Sequence, residues 1–223
     1  MKFFTIYQYA APIILLPLSY ILWLNRLDGN HRLVWFALSM PILSAYVIPG
    51  IGTNRLKLWE FNTRFKLGRF RPHHGFVFGS AISLLALVCV DPPTAQFSLS
   101  VLLRAAFITG SVLAFWNWLY DIRAIKVGFI IMYNRQHAES QGPEAIATDY
   151  APIFFFTFGA CYGAALYAGQ YLLLTLNRWD LFGWLLIVCN LIILTLPVSA
   201  FVVQSYLKNG YSGLKPYNPG ARE

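Results

Sequence analysis

The chain predicts an all-α fold, a polytopic bundle of six transmembrane helices with both termini on the cytoplasmic side. Three observations carry that expectation. Apolar runs near 4–24, 33–51, 74–90, 99–120, 150–175 and 181–206 are of the length, about 20 helical residues, that a hydrocarbon core of roughly 30 Å requires. Only 12% of residues are charged, against 57% hydrophobic and a mean hydropathy of +0.54, and the charges cluster between the runs. The cations also fall almost wholly on one side of the threading. A closed barrel is the other structure a bilayer accepts, but these runs lack a barrel's alternation.

Taken in order, the first run follows Lys2 like a signal peptide. It continues to Asn25-Arg26 without a small-x-small cleavage site, so it is expected to stay as a true span. A short outer loop at 25–32 leads to the second run. Segment 52–73 interleaves Arg55, Lys57, Arg64, Lys66, Arg69 and Arg71 with Trp59, Phe61, Phe65 and Phe70, as a connector lying on anionic headgroups would. A sharper reading of the same cations is a site for an anionic lipid or a phosphorylated substrate. The helical period of the segment is imperfect, because Leu56/Leu58 and Phe65/Leu67 also fit a period of two.

After the third run, Asp91-Pro92-Pro93 marks an outer turn. The fourth run continues past Asp121 to Tyr133, too far for one upright crossing, so 124–133 is expected to bend along the membrane surface. Asn134 to Pro143 reads as an exposed loop, and Pro143-Glu144 as the start of a short helix leading to Asp149. The fifth and sixth runs are joined at 177–180, and Pro197 should kink the sixth.

Lys2, the cations of 52–73, Arg123, Lys126, Arg135, Lys208, Lys215 and Arg222 share one side. Arg26, Arg32 and Arg178 take the other, with Arg104 inside the start of the fourth run. This bias puts both termini in the cytoplasm, and a bacterial inner membrane is the expected setting. Trp23, Trp35, Trp179 and Trp184 are placed in an outer belt, Trp116 and Trp118 in an inner one. Residues 1–223 form a single transmembrane domain. The net charge of +8 follows from the threading rule, and no loop is long enough to hold a nucleic-acid-binding module. Cys89, Cys161 and Cys189 are widely separated in apolar runs and read as packing residues.

Gly75/Gly79 and Gly159/Gly163 are both G-x-x-x-G pairs, which let backbones approach. Packing within the bundle is the simplest use of them, and a homo- or hetero-oligomer contact is the other.

The polar residues that threading leaves near the bilayer gather at the cytoplasmic ends of the helices. His73 and His74 open the third run, Asn117, Tyr120, Asp121 and Arg123 close the fourth, Asp149 and Tyr150 open the fifth, and Gln204, Ser205 and Tyr206 close the sixth. Asn117 and Asp121 are four apart and share a helix face. Asn117 needs an internal partner, and Asp121 favours a cation such as Arg123 or a nearby His. With only nine acidic residues in the chain, two of them flanking one cytoplasmic segment beside paired histidines is informative. His73, His74, Asp121 and Asp149 are the candidate acid–base residues, with Arg69, Arg71, Asn117, Tyr120, Arg123 and Tyr150 as candidate substrate binders.

No metal site is expected, since two adjacent His with distant His31 and His137 make neither a di-iron nor a haem ligand set. The residues leave any cofactor open. There is no aspartate-rich prenyl-transfer motif, desaturase His box, voltage-sensor arginine series or nucleotide loop. The leading reading is a small membrane enzyme acting on a lipid or isoprenoid-like substrate whose polar end meets this cluster. A non-catalytic subunit, assembly factor or lipid- or pigment-binding protein is the alternative. A small transporter is third, because polar residues thin out toward the outer half.

Overall fold

The computed structural model describes residues 1–92 and 94–218; Pro93 of the outer turn and Arg222 of the cationic tail lie outside the described residues. Five helical stretches are long and apolar enough to cross a membrane. They are α1 (Lys2–Arg26), α2 (His31–Arg55), α4 (Leu99–Lys126), the stretch Pro143–Thr175 and the stretch Trp179–Asn209. Helix α3 (His74–Cys89) has 16 residues, about 24 Å at the helical rise, and falls short of that length.

Short α5 (Arg135–Ala138) and α6 (Pro143–Thr148) precede α7 (Ala151–Gln170), and α8 (Phe182–Asn209) ends the bundle. The expected short helix at Pro143 is therefore present. Prolines shape several spans. Pro12 and Pro17 withhold backbone donors, and α1 widens to a π-type turn over Ala11–Leu15 rather than breaking. Asn30 caps α2 by accepting from the Leu33 N–H at 3.1 Å, and Gly210, at φ +78°, closes α8.

Both glycine pairs are used inside the chain. At Gly159 a Cβ would lie 2.7 Å from the Thr109 carbonyl and 2.8 Å from the Gly110 Cα of α4, and Gly163 faces the Ala105 carbonyl. Gly75 and Gly79 receive Tyr46 and Ile42 of α2. The core between these helices holds Phe36, Leu38, Met40, Ile82, Leu113, Phe158 and Tyr162. Trp23 corrects the belt assignment: it is buried, with its indole N–H donated to the Ser83 carbonyl at 3.0 Å. The outward faces of α1 and α8 expose Ile6, Ile13, Ile14, Ile21, Trp184, Ile187 and Leu191, a surface suited to lipid rather than water.

The two long connections meet at one end of the bundle. Strand β1 (Trp59–Phe61) pairs antiparallel with β2 (Ile130–Met132), with Trp59 opposite Met132. This corrects the expected surface-lying course of 124–133. The helix is continuous to Lys126, Gly128 at φ +68° turns the chain, and the alternation of β2 buries Ile130 and Met132. Phe4, Phe61, Phe70, Phe129 and Ile146 complete a second apolar cluster beneath this small sheet.

Candidate functional site

Between the bundle and the sheet lies a cavity of about 500 Å³. Its walls are apolar and aromatic, with Ile48, Phe78, Phe154, Phe155, Leu194 and Val198 among them. Its polar groups include His74, Asn117, Tyr120, Asp121, Asp149 and Tyr150, so six sequence candidates from α3, α4 and the start of α7 converge on one chamber. The other four do not line it. His73, Arg69 and Arg71 stand outside the wall, and Arg123 is exposed.

Asp121 is buried, at 7% exposure, and its partner is not the expected cation. The Tyr150 hydroxyl donates to Oδ2 at 2.8 Å, and Oδ1 accepts no hydrogen bond from the described residues. Helical periodicity turns Asp121 into the chamber and Arg123, two residues on, out of it. Asn117, on the same face one turn earlier, donates to the Leu113 carbonyl at 2.7 Å, the internal partner its depth demands.

Asp149 is engaged differently. Oδ2 accepts from Asn134 at 3.1 Å, Oδ1 accepts from Gln136 at 3.0 Å and Asn209 at 3.2 Å, and its carbonyl accepts from Gln204 at 2.9 Å. One carboxylate thus ties α5, the start of α7 and the end of α8 together. Of these amides, sequence reasoning placed Gln204 in the cytoplasmic cluster but did not single out Asn134, Gln136 or Asn209, whose partner lies in another segment.

Among the described residues Arg71 is the most deeply buried charged side chain, 1% exposed, and it forms no salt bridge with any of them. It packs over the rings of Phe61 and Phe129, with its guanidinium carbon 4.8 and 5.4 Å from the ring centres. Nη2 donates to Nδ1 of His74 at 2.6 Å, while Nε and Nη1 are buried without a hydrogen-bond partner among the described residues. Tyr120 faces the guanidinium, with Tyr7 and Tyr9 of α1 next, and burial holds its pKa below the usual arginine value. The contribution of α1 was invisible to a local reading.

His73, the residue before α3, is stacked on Tyr9 at 5.1 Å and on Phe65 at 5.8 Å. Burial, reinforced by the Arg71 charge, pushes its pKa down to about 4, so the ring is neutral at physiological pH. Arg69 is structural in its contacts: its N–H donates to Asn54 at 2.7 Å and its guanidinium covers the Tyr133 ring at 5.0 Å. Among the described residues no group of three or more His, Cys, Asp or Glu is arranged to hold a metal ion. No protein-family model matches the chain, and comparison with curated proteins and with solved structures finds no match.

Proposed function

We propose that the chain is a six-span membrane protein, with cytoplasmic termini, that admits a lipid-soluble molecule to its cavity and acts on that molecule's polar end by acid–base chemistry. The carrying observation is the Asp121–Tyr150 pair, a buried carboxyl bonded to a phenol at 2.8 Å on the wall of an otherwise largely apolar chamber. Its volume of about 500 Å³ falls within the roughly 300–1,000 Å³ common for small-molecule sites. Apolar aromatic walls favour a hydrocarbon body, and the polar floor favours a headgroup reached from the membrane.

In this reading Asp121 is the proton-transfer group, through the Oδ1 that accepts from none of the described residues, and Tyr150 fixes its orientation through Oδ2. Asn117 and His74 orient the headgroup. Asp149, its oxygens already accepting from three amides, serves as the clamp that holds α7 and α8 around the chamber. The cation distribution supports the cytoplasmic assignment of this end. A 16-residue α3 is accommodated as the sixth span by local thinning of the bilayer, with its neighbours α2 and α4 setting its tilt.

The test compares the lipid content of membranes that carry wild-type protein, the Asp121→Asn variant or neither. Wild type is expected to deplete one lipid species and accumulate its product, while Asp121→Asn leaves both at the level of protein-free membranes yet still co-purifies with the substrate. Identical lipid profiles in all three membranes, with lipid still bound to purified protein, would replace turnover by binding alone.

A further inference from the structure

A buried arginine without a counter-ion is rare, because an uncompensated charge taken out of water costs several kcal/mol. Aromatic faces offset part of that at Arg71, but its Nε and Nη1 remain buried without an acceptor among the described residues. Arginine has no acceptor and keeps its proton, so the 2.6 Å contact to His74 fixes the imidazole: Nδ1 must accept, and a neutral ring then carries its hydrogen on Nε2. His74 lines the chamber, and its Nε2 has no partner among the described residues. Tyr120 lines the chamber as well and faces the guanidinium. The wall between α3 and α4 therefore offers an imidazole N–H and a phenolic O–H, both backed by one buried positive charge. Asp121, next to Tyr120 on α4, is the acid at its edge, and Tyr150 already donates to it.

We propose that this wall is an oxyanion site, and that the amphipath taken into the chamber bears a phosphate or carboxylate headgroup received by His74 Nε2–H and the Tyr120 hydroxyl, with Arg71 supplying the compensating charge. The inference rests on the reading of the chamber as the seat of a lipid-soluble molecule, and adds the chemical class of its polar end. Charge-assisted donors prefer an ionised acceptor, which separates such a headgroup from neutral alcohols and glycerides. Arg71 acts here as a positioning and charge-supplying residue behind the two donors.

Thermal stability of the detergent-purified protein, titrated with dodecyl phosphate, dodecanol and inorganic phosphate, tests it. Dodecyl phosphate should raise the unfolding temperature of wild type, and Arg71→Gln should weaken its apparent affinity at least tenfold. Arg64→Gln, which removes an exposed cation of the same segment, should leave it unchanged. Tyr120→Phe removes one hydroxyl and no bulk, so it keeps the proposal testable if Arg71→Gln does not fold; it should weaken dodecyl phosphate several-fold and dodecanol not at all. Stabilisation by inorganic phosphate alone, reduced in Tyr120→Phe, also upholds the oxyanion site and identifies a free anion as its occupant. Equal binding of dodecyl phosphate and dodecanol, unaffected by Arg71→Gln or Tyr120→Phe, overturns the oxyanion site while leaving the chamber as a lipid seat. Binding of neither amphipath overturns both.

Discussion

Replacing Asp149 by Ala should loosen the end of the bundle where α5, α7 and α8 meet, and the structure sets the size of the effect. The carboxylate accepts from Asn134, Gln136 and Asn209, at 3.0 to 3.2 Å. Hydrogen bonds to a charged group contribute about 1.5–3 kcal/mol each, but these are part-buried, so freed amides regain water and about 1 kcal/mol each is the better figure. Three such losses, which act on one group and do not simply add, amount to about 3 kcal/mol. At roughly 2–4 °C per kcal/mol for a chain of this size, the unfolding temperature in detergent should fall by about 6–12 °C. Asp149→Asn should recover much of that, because Gln136 can flip and offer the Oε1 that now lacks a partner. Limited proteolysis of the 134–142 loop should rise in parallel for Ala and little for Asn. An Asp149→Ala protein melting within about 1 °C of wild type would refute the clamp and return Asp149 to the candidates for chemistry.

Gly163→Leu should lower the yield of folded protein sharply, because the new side chain meets the Ala105 carbonyl and the Thr109 hydroxyl, beyond the about 1–3 kcal/mol of ordinary overpacking. Gly183→Ala, where nothing lies within 4 Å, should hold or slightly raise the melting temperature; equal loss in both would show that α4 and α7 do not approach as described. The His73 pKa of about 4, against 6.5 unfolded, means that the unfolded state binds more protons between those values. Stability is therefore full above about pH 6.5 and declines as pH falls toward 4, and His73→Phe, which keeps the stacking, should flatten that part of the profile relative to wild type. A cysteine placed at His137 in a cysteine-free background should react with impermeant reagent only from the cytoplasmic side, and labelling from outside would reverse the proposed threading.

The helical segments were legible because each is written locally: an apolar run bounded by charge or proline suffices to place it within a few residues. The shared face of Asn117 and Asp121 was legible for the same reason, since helical spacing alone decides it. What the sequence concealed is non-local. Strands β1 and β2 are three residues each and are separated by two helices, so their alternation is too short to stand out from a basic connector until they pair. Arg71 is one cation in a run that includes exposed Arg64 and Lys66, and its burial comes from Phe129, Tyr120 and α1, which no window around it contains. The same holds for Asp149, whose donors arrive from two separate segments, 134–136 and 204–209.

The arrangement of Arg71 and Asp121 is the strongest argument that this end of the molecule is more than a set of helix ends. Each is buried, they carry opposite charge, and Tyr120 faces the first and neighbours the second in sequence, yet no ion pair joins them. A fold arranged for stability alone would pair them, or replace both with apolar residues of similar volume, a change that is often neutral or stabilising by about 1–4 kcal/mol. Instead Arg71 is given an imidazole and two aromatic faces, and Asp121 a phenol, partners that hold each group in place without neutralising it. In the proposed function, the charge of Arg71 and the Oδ1 that accepts nothing from the described residues are what the entering molecule would meet. If Asp121 is the proton-transfer group proposed above, Asp121→Asn should hold or raise the unfolding temperature while ending the proposed turnover, the opposite of what Asp149→Ala should do, and that contrast separates a reacting role from a bracing one.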